Sequence, residues 1–112
     1  MPLVNLTGHR LHVIREDGSV VSLPPATTTV RAVVEHVRIA TIEGVEILIQ
    51  TTTCPRELPP PVEGTIYIVS AYTKIHFLNE DRPDVLYPGP VCRDGSGRVT
   101  ACRGLQQMIG DE

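Results

Sequence analysis

The stretch EGTIYIVSAYTKIHF, Glu63 to Phe77, changes rhythm at its middle, and its reading decides the fold. From Gly64 to Ser70 it reads as a strand. Thr65, Tyr67 and Val69 alternate with Ile66, Ile68 and Ser70, and a run that is apolar on both faces suits a strand covered on both sides. After Ser70, apolar residues at Ala71, Tyr72, Ile75 and Leu78 follow helical spacing, with Ser70 placed to cap the helix. The sequence NEDRPD stops that helix after about two turns, because Pro83 disfavours helix at Arg82. A helix so short depends on tertiary packing. A serine between strand and helix also suggests a nucleophile elbow, but that strained turn needs flanking glycines. The neighbours here are IVSAY, so capping is the better account of Ser70.

Hairpins surround this segment. In RLHVIREDGSVVSLPP, a loop of Glu16-Asp17-Gly18 sets Arg15 opposite Ser19, Val13 opposite Val21 and Leu11 opposite Leu23, with His12 and Ser22 on the other face. Pro24-Pro25 ends the pair, because proline cannot donate to a ladder. In VRIATIEGVEILIQ, a loop of Ile42-Glu43-Gly44 pairs Thr41 with Val45, Ile39 with Ile47 and Val37 with Ile49. A two-residue Glu-Gly loop would set Ile39 against Leu48 and mix the faces. The preceding TTTVRAVVEH is rich in β-branched residues and reads as a strand feeding this hairpin. TTTCPRELPPPVEG, with its prolines, is a stiff extended connection. DVLYPG is a short strand, and VCRDGSGRVTACRGL is a hairpin turning at Asp94 to Gly97, with a loop of three or four residues. Neither register sets Cys92 against Cys102. The tail QQMIGDE reads as frayed.

These elements predict a mainly β (α+β) chain. The expected form is a small antiparallel sheet or barrel-like domain of consecutive hairpins, with one short helix after the Gly64–Ser70 strand. The 112 residues fit a single domain spanning 1–112. A net charge of −3 argues against gripping nucleic acid through phosphates. No apolar run approaches the roughly 20 residues needed to span a bilayer, and no signal-peptide pattern opens the chain, so a cytoplasmic location is expected. Three cysteines, Cys54, Cys92 and Cys102, are expected as free thiols.

The candidate chemistry is sparse. His9 and His12, with Cys92 and Cys102, could build a zinc site, but closely spaced cysteine pairs and an H-x(3–5)-H pair are both missing. On a strand, His9 and His12 would also point to opposite sides. No metal and no cofactor is therefore expected. Arg82, Asp84, Arg93, Asp94, Arg98 and Arg103 concentrate charge in the last third. They could build a bidentate anion or nucleotide site, or simply form surface ion pairs.

Four pieces in order, NLTGH (Asn5 to His9), EGTIYIVS (Glu63 to Ser70), DRPDVLYPG (Asp81 to Gly89) and VCRDGSGRVTACRGL (Val91 to Leu105), resemble a family of small uncharacterised proteins of tailed phages, prophages and actinobacterial genomes. The chain departs from that pattern at Gly8, where the family usually has proline, which implies a different turn before His9. The stretch YTKIHFLNE is also less apolar than the family pattern. The matched polar positions are Asn5, Thr7, His9, Ser70, Arg82, Asp84, Arg93, Asp94 and Arg103. The resemblance brings no catalytic role to them.

The resulting expectation is a non-enzymatic phage or prophage-type accessory protein. It would act by binding a host protein or by sequestering a small nucleotide-like signal molecule. Asn5, Thr7, His9, Arg82, Asp84, Arg93, Asp94 and Arg103 are its candidate ligand-binding residues, and it could work as a homo-oligomer. A small metal-dependent or hydrolytic enzyme using His9, His12, Asp84 or a cysteine is the alternative. A minor virion component is a further one.

Overall fold

The computed structural model describes residues 2–107. The chain is mainly β, with one short helix among the described residues and mixed sheets rather than a closed barrel. The strands are β1 (Leu3–Asn5), β2 (Leu11–Ile14), β3 (Val20–Leu23), β4 (Val33–Ile42), β5 (Val45–Thr53), β6 (Ile66–Ile68), β7 (Val85–Pro88), β8 (Val91–Arg93), β9 (Val99–Arg103) and β10 (Leu105–Gln106). The helix α1 (Ala71–His76) follows β6. One four-stranded sheet has the order β1-β6-β7-β10 and the other β3-β2-β9-β8, while β4 and β5 form a separate two-stranded ribbon.

The hairpin reading captures only part of this. β1 and β6, β6 and β7, and β2 and β9 pair in parallel, through long connections that no local turn signal announces. β6 is covered on both sides, as its double apolar pattern requires. Tyr67 and Val69 join Leu6, Val30, Leu58, Phe77 and Val85 in one core cluster, and Ile68 joins Leu11, Val13 and Cys102 in another. The proline-bearing connection is irregular, and Leu58 anchors it in the first cluster.

The first hairpin has the expected register, Leu11 to Ile14 against Leu23 to Val20, with Gly18 at φ 89° closing the loop. β8 and β9 set Cys92 against Ala101, and Asp94 N–H donates to the Arg98 carbonyl, so Gly95-Ser96-Gly97 is the loop. The segment 27–32 is not a strand, and β4 begins at Val33. Gln106, at the head of the tail, is in β10, and its side chain donates to the Pro88 carbonyl at 2.9 Å. Gln107 lies outside any strand, with its side chain donating to the Pro83 carbonyl at 3.3 Å, and the rest of the expected fraying falls on residues 108–112, outside the described residues.

The ribbon corrects the second hairpin. Ile42 pairs with Val45 across a two-residue turn in which Glu43 and Gly44 have φ of 52° and 77°, the left-handed backbone that the twist of a two-residue hairpin demands. The face mixing that this turn should cause is cancelled by a bulge between Arg38 and Ala40, so Val37 still faces Ile49. Opposed residues share a face. Val33, Val37, Ala40, Ile42, Val45, Ile47 and Ile49 therefore line one side, with Glu35, Thr51 and Thr53, and Val34, His36, Arg38, Thr41, Glu46, Leu48, Gln50 and Thr52 lie on the other.

The helix is also turned from its expected orientation. Ser70 is its cap, accepting from Thr73 N–H at 3.2 Å, but the buried side chains are Thr73, Lys74 and Phe77, while Tyr72, Ile75 and Leu78 are exposed. Thr73 earns its place by accepting the Ala32 N–H at 2.9 Å, and the Lys74 ammonium donates to the Arg82 carbonyl at 3.1 Å.

Gly89 sits where β7 leads into β8 against the turn between β9 and β10. Its N–H donates to the Gly104 carbonyl at 3.0 Å, and a Cβ there would run into the Arg103 carbonyl oxygen. Gly89→Ala therefore loses about 1–3 kcal/mol of stability, since the obstacle is backbone. Gly18→Ala meets no neighbouring atom and serves as a comparison for backbone strain alone. Urea unfolding of both variants checks this, and a Gly89→Ala midpoint equal to the wild type's contradicts it.

Candidate functional site

The candidate residues fall in separate places. Asn5 and Thr7 are buried and structural. The Asn5 amide donates to the His9 and Leu23 carbonyls at 2.8 and 2.9 Å, and its oxygen accepts the Thr7 N–H at 3.0 Å and the Thr7 hydroxyl at 2.6 Å. Within this knot Gly8 has φ 91°, a backbone that proline cannot adopt.

Arg82 and Asp84 pair with each other through two parallel bonds of 2.9 Å. The guanidinium beside it holds the Asp84 carboxyl below the usual aspartate range, and the same bond raises Arg82. Both line a cavity of about 380 Å³ beside the proline connection, but each has spent its charge on the other. At the β8–β9 turn, Asp94 accepts from the Ser96 hydroxyl, and then from the Ser96 and Arg98 N–H groups, which lowers its pKa. Arg93 donates to the Gly97 carbonyl at 2.9 Å. These two residues shape a turn. Arg103 is exposed at the end of β9, apart from both. The arginines and aspartates of the last third therefore do not converge on one pocket.

A different constellation does converge. The parallel ladder between β2 and β9 consists of Val13↔Cys102 and Ile14↔Arg103, and no ladder pair joins the two strands before Val13. Beside that unpaired stretch lies a cleft of about 330 Å³. Leu11, Val91, Val99 and Pro88 give it apolar walls, and His9, Arg10, His12 and Thr100 supply polar groups. Among the described residues no carboxylate lines it. Arg10 donates to the Ser22 hydroxyl at 3.0 Å, and among the described residues no carboxylate pairs with it. His9 and His12 share the cleft, against the expectation that they diverge, because strand geometry starts only at Leu11 and does not fix His9. Arg10, Thr100 and the flanking valines were not singled out from sequence, and only the pairing of distant strands could have placed them together.

The cleft offers no activated nucleophile. Burial pushes the Cys102 thiol up, away from the thiolate form. Among the described residues no group of three His, Cys, Asp or Glu side chains is placed to hold a metal. A third cavity, of about 530 Å³, lies between Val4, Leu6 and Tyr67 and the proline connection, but its Arg56 is accompanied by Glu57. Among the described residues no helix is long and apolar enough to cross a membrane.

No protein family, curated protein or solved structure matches the chain.

The Arg82–Asp84 pair predicts a pH signature of stability. A carboxyl whose folded pKa is depressed stabilises the fold above its unfolded pKa, and that contribution fades as pH falls through the folded value. Asp84→Asn should lose about 1.5–3 kcal/mol near neutral pH, since it leaves a largely buried guanidinium with a weaker partner. The gap to wild type should close in acid. Denaturant unfolding between about pH 7 and pH 2 reads it, and a gap that stays constant across that range contradicts the pairing.

Proposed function

We propose that this chain is a non-enzymatic accessory protein of phage or prophage type that works by binding, and that the β2–β9 cleft captures a small anionic, nucleotide-like molecule. The observation that carries the reading is the charge of the cleft: on a chain with net charge −3, it is lined by an arginine and two histidines and, among the described residues, by no carboxylate. Apolar walls beside a cationic rim suit a ligand with a flat ring at one end and a phosphate at the other. The volume falls within the roughly 300–1,000 Å³ range of small-molecule sites. Arg10 is the anion anchor, because a guanidinium presents a fork of donors matched to phosphate oxygens. Val91 and Val99, each about half exposed, would be covered by the ring. Capture rather than turnover is the reading because nothing in the cleft activates a nucleophile.

The test is calorimetric titration of the intact protein with adenosine and guanosine, their monophosphates and their cyclic dinucleotides. At least one phosphorylated ligand should bind, with the matching nucleoside far weaker. Arg10→Ala should weaken that ligand by about 10- to 100-fold, the range of a charge-assisted hydrogen bond. Arg93→Ala and Arg103→Ala should leave it unchanged. Equal affinity for nucleoside and nucleotide, or a loss that follows Arg93 and Arg103 instead of Arg10, would refute this assignment.

A further inference from the structure

We infer that the β4–β5 ribbon is a self-association arm, whose apolar face packs against the same face of a second copy of this chain. The body of the protein leans on the wrong side of the ribbon to cover that face. At the root, Val34 and Thr52 are the half-buried residues, and the Thr52 hydroxyl bonds the His76 ring at 3.1 Å. Both belong to the polar face. The opposite face carries Val33, Val37, Ile42, Val45, Ile47 and Ile49 into solvent, at 37% to 61% exposure, and the bulge residue Ile39 is exposed at 62%.

Two-stranded ribbons are marginal in water without something packed on them. This one nonetheless extends far enough that the Cα radius of gyration is 16.3 Å, against the roughly 13 Å of a compact chain of this length. The bulge at Ile39 keeps most of the aliphatic residues on one side from root to tip, with Leu48 and Val34 on the other.

The chemistry of the face selects its occupant. Glu35 is the charged residue on it, and on a ribbon two strands wide its carboxylate reaches solvent past the edge. Two copies therefore meet without burying an unpaired charge, as an isologous two-fold contact requires. The open parts of these aliphatic residues, Ile39 included, amount to roughly 600–700 Å² per copy, so a pair buries at most about 1,300 Å², the lower end of the ~1,200–2,000 Å² of a specific interface. An anionic membrane surface or a nucleic acid fits poorly, since Glu35, Glu43 and Glu46 outnumber Arg38 on the ribbon.

Sedimentation equilibrium of the full chain, from about 1 to 100 µM, tests this directly. The wild type should run as a dimer, at twice 12.3 kDa. Ile42→Lys with Ile49→Lys should raise the dissociation constant at least 100-fold while the far-ultraviolet circular dichroism is unchanged. Arg38→Glu, on the polar face, should leave the dimer intact. If the lysine variant fails to fold, Ile49→Thr keeps β-branching and should still weaken the dimer about tenfold. A wild type that stays monomeric throughout, including one that binds a different protein through the ribbon, overturns the inference. So does a dimer indifferent to the apolar-face variants.

Discussion

The buried amide of Asn5 ties the two sheets together. Its backbone belongs to β1 and pairs with Ile68, while its side chain reaches the Leu23 carbonyl at the end of β3 and the His9 carbonyl at the approach to β2. A carboxamide has two donors and two acceptor sites, and here each donor meets a carbonyl while the oxygen accepts from Thr7. Removing it would leave buried carbonyls without partners, a larger penalty than the net value of the bonds themselves. The knot sits where the chain passes from one sheet to the other, so it also fixes where β2 begins. The cleft lies immediately beyond.

From that junction the packing follows. β6 inserts between the two clusters with Ile68 on one side and Tyr67 and Val69 on the other, so a short strand serves both cores. β9 is laddered to β2 at Val13 and Ile14, where Cys102 fills the core. The cleft lies beside the stretch without ladder pairs. The ribbon is the opposite case: its ladder runs from Val33 to Ile42, yet it contributes little to either core.

What the sequence made legible follows the range of the interactions. The first hairpin is readable residue by residue, because a glycine-closed loop and two alternating strands admit one register. The ribbon was misread at its tip for a specific reason. A three-residue loop and a two-residue loop with a bulge both keep Val37 opposite Ile49, and face matching cannot tell them apart. The helix was read with its faces exchanged because Lys74 and Thr73 look like solvent-facing residues. Their burial depends on carbonyl and amide partners at Arg82 and Ala32, distant in sequence. The polar motif Asn5-x-Thr7 was recognised as special, but a knot and a ligand contact have the same residue signature. The cleft itself was not legible, since Arg10 and Val99 become neighbours only through a parallel pairing across most of the chain.

If the Asn5 knot joins the sheets into one cooperative unit, the two cores must open together. Native-state hydrogen exchange as a function of low denaturant measures this, comparing the Val69 amide, bonded to Leu86 in the first sheet, with the Val13 amide in the second. The account predicts that both converge on one opening free energy, equal to that of global unfolding. A second sheet that exchanges through its own, markedly lower opening energy would contradict it.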